Sequence, residues 1–416
     1  MMDTIKNRKA LLAIIGVGLI VRILFVLAFP NIGTIDAMDS AAYNAVAVNI
    51  TKGLGFTQDG VNPTLFLPPA YPAFLSSIYF LFGHSTVLVE LIQCLLNVGI
   101  ACVTFLLARE FFSEAVAAIA CLIALFHPEI IALTSFLYTE TVFIFLFICL
   151  IYFTVRFYRT QKMIFLILAA VTGGICTLTR GITLYFPVIF FSGLIFVQPF
   201  KKAALNSALF SIFLCMTIAP WTIRNYRVSG SFTPVSVGLG YVLWAGNYLP
   251  FDGEYEYHKT QALADSMTNG MTFVERERFF TAEAKQNMKR DVAGTAKLWV
   301  KKLFRYWSRI YSTVPDGTKH AGKGIVYYVL LIIHLMLLFF FLPGILRTRN
   351  RWKEFMLIYL IFLYMTAIHV ITLPWPRYRI PLIPFMGLFA AVEIVHLFNE
   401  KIKNRRKKRI HELPDL

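Results

Sequence analysis

Hydrophobic residues in this chain arrive in long uninterrupted blocks, and that pattern excludes most soluble folds. The blocks run roughly over 11–29, 86–108, 114–127, 136–155, 163–179, 182–198, 203–221, 325–346, 355–373 and 379–398; the third is short. About 18 or more apolar residues with few charges suffice to cross a bilayer as a helix. Of the 416 residues, 57% are hydrophobic and 15% charged, with a mean hydropathy of +0.65. A soluble chain carries about 25% charged residues. The expected fold is an all-α integral membrane protein of about ten transmembrane helices, with amphipathic helices on its outer face.

Lys and Arg set the orientation. One set of connections holds Arg109, then Arg156, Arg159 and Lys162, then Lys201 and Lys202, then Arg347, Arg349, Arg351 and Lys353. Both termini join it, through Lys6, Arg8 and Lys9 and through the tail KIKNRRKKR at 401–409. The opposite connections are nearly free of such residues. Both ends are therefore expected in the cytoplasm of a multi-pass plasma (inner) membrane protein. The first block is too long for the core of a cleaved signal and lacks a small-residue cleavage site after it, so it is expected to remain as an anchor. A net charge of +17 sits mainly in these loops and the tail. That placement points to anionic membrane lipids and away from nucleic acid. The six cysteines all fall in apolar segments without metal-ligand spacing, as packing residues do.

The domain reading follows from the blocks. Residues 1–221 form an N-terminal transmembrane module with a first outer loop at 30–85. Residues 222–324 form an outer-face region, 325–398 the C-terminal transmembrane helices and 399–416 a basic cytoplasmic tail. Within the outer region, Thr272 to Lys289 and Ala296 to Tyr311 read as helices. In the second, Lys297, Lys301, Arg305 and Arg309 recur every four residues and share a face. That face suits either an anionic bilayer surface or plain solvent.

The first outer loop opens with DAMDSAAYNAVAVNITKGLGF, Asp36 to Phe56. Asp36, Asp39 and Tyr43 are spaced to share one face of a helix that Gly53 can close. Two roles are open to the acids: capping the helix N-terminus, or chemistry. After Gly53-Leu54-Gly55-Phe56 come Pro68-Pro69-Ala70-Tyr71-Pro72, whose prolines stiffen the path around Tyr71.

This D-x-x-x-Y helix, G-x-G-F turn and PPxYP loop, taken together, resemble the membrane glycosyltransferases of the GT-C fold. The family 39 protein mannosyltransferases and the lipid A aminoarabinose transferases are the nearer types. Tyr138-Thr139-Glu140-Thr141 at the fourth block, Pro220 to Tyr226 at the seventh and Arg377 to Pro384 at the last agree with them. The acidic Asp-Glu pair of the protein mannosyltransferases is Asp39-Ser40 here. The resemblance implies a polyprenyl-phosphate sugar as donor and a lipid, glycan or protein as acceptor.

Sugar transfer to a hydroxyl needs a base, positive charge for the departing phosphate and an apolar groove for the lipid. Asp39 is the expected base, with Asp36 beside it, and one base without a carboxylate nucleophile favours inversion. Tyr43 is placed to orient sugar or phosphate. Arg377, Arg379, Arg180 and Arg224, at outer ends of blocks, are candidates for the phosphate; the plainer alternative for each is reaching to lipid headgroups. Arg22 lies inside the first block, where an arginine costs roughly 2.5–3.5 kcal/mol, so it must face protein, water or a partner. Glu140 is that partner, a second acid or an interfacial residue. His334 and His369 lack ligand spacing, and no metal or other cofactor is expected. Two competing readings are a secondary transporter or lipid flippase, favoured only by Arg22, and an O-antigen ligase or polymerase.

Overall fold

The computed structural model describes residues 8–29, 38–253, 257–310 and 324–411. Among them no strand forms beyond an isolated bridge of Thr57 to Pro63. The helices are α1 (Arg8–Ala28), α2 (Met38–Thr51), α3 (Ala70–Phe82), α4 (Thr86–Arg109), α5 (Glu114–Phe126), α6 (Pro128–Ala132), α7 (Glu140–Thr160), α8 (Met163–Thr179), α9 (Phe186–Leu194) and α10 (Phe200–Ser229). They continue with α11 (Leu239–Asn247), α12 (Tyr257–Met267), α13 (Phe273–Arg290), α14 (Val292–Ser308), α15 (Ile325–Thr348), α16 (Trp352–Ile371) and α17 (Ile383–His411).

Each apolar block is helical, as its composition demands, but not each is long enough to cross. Six described stretches qualify by length and apolarity, and α5 with α6 makes a seventh as a pair bent by 48°. One of the six, 325–371, is two helices. Phe341 and Phe362 are twenty-one positions apart, yet their rings lie within 5.2 Å. Along one straight helix that separation spans about 31 Å. The chain therefore turns back at 349–351, so among the described residues eight stretches, the bent pair counted as one, are long and apolar enough to cross. The 17-residue α8 and 9-residue α9 are shorter, yet α8 runs from the basic end to Arg180 beside Glu140 at the other end, and Gln198 after α9 is back at Gln161. Gly344 lets α15 and α17 cross backbone to backbone, because a Cβ there would lie 2.0 Å from the Phe389 carbonyl oxygen.

The two ends of the bundle differ chemically. At one end the short basic connections gather. Glu110 accepts from Arg156 at 2.9 Å, and Arg159 bridges Glu110 and Glu354 at 3.7 and 3.9 Å. Arg351 holds Glu354 and donates to the Phe111 carbonyl at 3.0 Å. The α1 N-terminal half packs near Cys121 of α5, so α1 starts at this end too. The outer loops and Asp39 lie at the other.

Arg22 has a structural explanation. It is fully buried and donates to Asn97 Oδ1 at 2.6 Å, the Gly18 carbonyl at 2.9 Å and the Leu125 carbonyl at 2.7 Å. Asn97 in turn donates to the Ile130 carbonyl at 2.8 Å. Leu125 lies in the last turn of α5, where Pro128 supplies no N–H and the last carbonyls lose their helical partners. The guanidinium thus ties α1 to the broken corner between α5 and α6. Glu140 is not its partner.

The outer region folds around Trp244, Ala264, Phe280 and Ala284. Both expected helices form there. Thr272 and Glu275 build a capping box on α13, and Glu277 caps α11 through the Gly238 and Gly240 N–H groups at 2.7 Å. The basic face of α14 is partly occupied, since Lys301 and Arg305 both bind Asp252. Between them Lys302 is fully buried and donates to the Gly246 carbonyl at 2.9 Å and the Ile371 carbonyl at 3.3 Å. That contact clamps α11 and α14 to the end of α16.

Two expectations follow. Arg22→Met strands Asn97 Oδ1 and the Leu125 carbonyl, costing about 1–3 kcal/mol. Thermal unfolding in detergent should show a lowered Tm, with turnover per folded molecule unchanged. For Lys302, burial pulls the pKa from its ordinary 10.5 down to about 7. The unfolded chain binds more protons between those values, so the cost of burying the ammonium is full below about pH 7 and fades as pH rises. Comparing wild type with Lys302→Met, the Tm difference should move in favour of wild type between pH 7 and 9.5. A constant difference contradicts a depressed lysine.

Candidate active site

Polar side chains from four elements cluster at the end of the bundle opposite the basic connections. Asp39 lies in the first turn of α2, which ends in a Schellman motif: Gly53 takes a φ of 76°, Gly53 N–H donates to the Ile50 carbonyl, and Leu54 N–H to the Asn49 carbonyl. Glu140 opens α7, where the helix dipole favours an acid. Arg180 follows the last residue of α8, and Arg377 lies in the 3-10 turn Pro376–Leu382 before α17.

These four charges form a chain. Arg377 Nη2 donates to Asp39 Oδ2 at 2.6 Å across 338 positions of sequence. Arg377 Nε lies 3.6 Å from Glu140 Oε1, and Arg180 Nη1 lies 2.8 Å from the same oxygen. Aromatic rings wall them in. The Arg377 guanidinium sits 4.7 Å from the ring centre of Trp375, 5.1 Å from Tyr138 and 5.3 Å from Tyr378; that of Arg180 sits 4.8 Å from Tyr378 and 5.5 Å from Phe143. Cations over ring faces gain attraction that grows as water is excluded.

Exposure separates the two acids. The Asp39 side chain is 46% exposed and that of Glu140 3%. An incoming molecule can reach Asp39, whereas Glu140 serves as the sealed counter-charge for two guanidinium groups. Burial, with the Asp39 and Glu140 carboxylates adding to it, pushes the Tyr43 phenol up, so Tyr43 stays a hydrogen-bond donor at neutral pH.

Several expected residues lie elsewhere. Asp36 is outside the described residues. Arg379 is fully buried and donates to the Tyr306 and Arg309 carbonyls at 2.6 and 2.8 Å, closing the C-terminus of α14. The reason is helical geometry, since residues two apart in a 3-10 turn point about 120° from each other. Arg224 packs on Phe56 and Trp221 and donates to the Thr64 carbonyl at 2.8 Å. It braces the first outer loop against α10. Tyr71 is buried rather than displayed by its loop: Pro68 and Pro69 lead into α3, the Tyr71 hydroxyl donates to Gln93 at 3.0 Å, and the ring meets Tyr43 edge-on at 5.2 Å. Tyr71 thus supports Tyr43 from below.

Sequence reading overlooked Trp375 and Phe143 as walls of the cluster, and aromatic residues are too common in this chain to stand out. It also passed over Glu90, fully buried in α4 with neither carboxylate oxygen hydrogen-bonded. His369 stacks between Tyr378 and Tyr306, and His334 meets the Trp307 carbonyl at 2.8 Å. Among the described residues no three His, Cys, Asp or Glu side chains converge on a metal position. Asp39 and Glu140, each already on a guanidinium, do not fit as a divalent-cation pair.

Glu140 and Asp39 should respond differently to loss of charge. Glu140→Gln leaves buried guanidinium charge uncompensated, at a cost of about 3–5 kcal/mol. Asp39→Asn breaks a half-exposed contact, worth about 1 kcal/mol or less. Thermal unfolding of both variants in detergent should show a large loss of Tm for the first and a small one for the second.

Comparison with known proteins places this geometry. A family model described as dolichyl-phosphate-mannose-protein mannosyltransferase matches residues 67–223, under half of the chain. That stretch includes Glu140 and Arg180 and leaves out Asp39 and Arg377. No curated protein gives a significant match. Among solved structures, the archaeal oligosaccharyltransferase AglB from Archaeoglobus fulgidus, in complex with an inhibitory peptide and a dolichol-phosphate, is similar with a TM-score of 0.59 at 14% identity, over 98% of this chain and 52% of that one. Its apo form gives 0.58 at 13% identity, over 99% and 53%. This chain thus spans about half the length of those oligosaccharyltransferase chains. ArnT from Cupriavidus metallidurans bound to undecaprenyl phosphate scores 0.47 at 14% identity, over 93% and 78%, too low to add to the fold assignment. The fold of this chain is the GT-C fold of membrane glycosyltransferases, as the sequence resemblance implied.

Proposed function

We propose that this chain is an integral-membrane glycosyltransferase. It moves a monosaccharide from a polyprenyl-phosphate donor to an acceptor hydroxyl at the extracytoplasmic face. The observation that carries the proposal is the open Asp39 carboxylate on Arg377, beside Glu140 and Arg180, at the end of the bundle opposite the basic loops. The positive-inside trend assigns that end to the extracytoplasmic side and both termini to the cytoplasm.

In this reading Asp39 takes the proton of the acceptor hydroxyl as its oxygen bonds to the anomeric carbon. The bond from that carbon to the phosphate oxygen breaks, and polyprenyl phosphate leaves with the electron pair. Displacement in one step inverts the anomeric centre. Arg377 and Arg180 face the charge that builds on the leaving phosphate, and donors fixed in an aromatic, water-poor setting act there at full strength. Tyr43, one turn beyond Asp39, donates to sugar or phosphate. The acceptor class, whether lipid, glycan or protein, is set by surfaces around this core. The basic helical tail of α17 meets anionic lipids on the cytoplasmic side.

The transporter reading loses its one support, because Arg22 serves the fold through Asn97 and two carbonyls. A donor assay tests the enzyme reading. Purified protein in detergent receives a polyprenyl-phosphate monosaccharide, and release of polyprenyl phosphate is followed. Asp39→Asn should lower turnover roughly 10²-fold or more, the scale of general-base catalysis, and Arg377→Ala should chiefly weaken donor binding. Full activity in Asp39→Asn removes the base assignment.

A further inference from the structure

We infer that the donor arms the base: its phosphate takes the place of Asp39 on Arg377, and the displaced carboxylate becomes free for the acceptor proton once a donor is seated. The inference rests on the glycosyltransferase reading and adds an order of events to it.

Three features carry it. First, the same guanidinium serves both partners. Arg377 holds Asp39 at 2.6 Å and is one of the two cations that the proposed function sets against the phosphate, so the carboxylate competes with the ligand for it. Second, the two sides of that contact differ in freedom. The Arg377 side chain is 9% exposed, held by Glu140 and packed among Trp375, Tyr138 and Tyr378. Asp39 is 46% exposed on a short surface helix. An arriving oxyanion therefore displaces the carboxylate and leaves the guanidinium in place. Third, charge arithmetic favours exchange over addition. Asp39, Glu140, Arg180 and Arg377 already balance, two negative and two positive. A phosphate that joined them without displacing Asp39 would add an unmatched anion.

The exchange has a chemical consequence. On Arg377 one oxygen of the Asp39 carboxylate already accepts a guanidinium N–H; released, that oxygen is free to accept the hydrogen of the acceptor hydroxyl. The exchange itself is inexpensive, because the contact is half exposed on the Asp39 side and screened by solvent. The acceptor is thus activated only in the presence of donor, and binding is ordered with the donor first.

The test reads affinity rather than turnover. Binding of sugar-free polyprenyl phosphate to the full-length protein in detergent is measured for wild type, Asp39→Asn, Arg377→Ala and the double variant. With its internal competitor removed, Asp39→Asn should bind about three- to fivefold more tightly than wild type, although it turns over poorly. In the Arg377→Ala background the same change should alter affinity less than about twofold. Asp39→Ala provides a second variant and should also gain affinity. Equal or weaker binding by Asp39→Asn overturns the exchange. So does an undiminished gain in the Arg377→Ala background, which would report simple repulsion between Asp39 and phosphate. Retained turnover in Asp39→Asn with the affinity gain sinks the base assignment alone, and no measurable binding to wild type sinks the donor reading together with this one.

Discussion

The contact of Glu140 with Arg180 is the one on which the outer end of the molecule depends. A carboxylate sealed from water is unfavourable unless fully compensated, and here two arginines from distant elements supply the compensation. By holding Arg180 after α8 and Arg377 before α17, Glu140 brings three separate stretches of chain together, its own α7 included. Asp39 then joins from a fourth. The aromatic walls follow from the same requirement, since guanidinium groups kept from water gain from ring faces. Rigidity at the positive end and openness at Asp39 are two results of one buried charge.

Much of this was legible in the sequence, and the reason is the solvent. A bilayer excludes polar groups from its core, so apolar blocks mark helices and the chemistry is left to their ends. Asp39, Glu140, Arg180 and Arg377 were each visible as charges at block ends without knowledge of which would meet. The resemblance to GT-C enzymes named the fold, and the α13 and α14 helices could be read from their periodicity. Length alone does not give the count of crossings, because α8 and α9 are short while the chain between Gln161 and Gln198 still reaches the Glu140–Arg180 pair and returns.

Other residues could not be read correctly, each for a geometric reason. Arg379 shares a loop with Arg377 but a 3-10 turn sends it to α14 instead. Arg224 belongs to the Pro220 to Tyr226 motif, whose Trp221, Thr222 and Asn225 all bond to the carbonyls of 233–235 and fold that loop back on α10. Its job is set by a turn no spacing rule announces. Tyr71 looked like a displayed aromatic because prolines precede it, yet those prolines begin a helix that turns the ring inward. Pairing with Arg22 was one of three roles open to Glu140 on charge alone; Arg22 instead satisfies neutral oxygens, among them the Leu125 carbonyl beside the helix break at Pro128.

That break bears on how the protein is made. The first helix leaves the ribosome about a hundred residues ahead of the Leu125 carbonyl that accepts from Arg22. Until Asn97 and the α5–α6 corner have been synthesised, its guanidinium has no acceptor beyond its own helix and carries the roughly 2.5–3.5 kcal/mol penalty of an arginine in lipid. The helix is apolar enough to bear that charge for a time, but its final seat exists only after the third crossing arrives. The contacts of α1 are therefore completed in a fixed order, because the oxygens that seat its arginine are encoded 75 and 103 positions downstream.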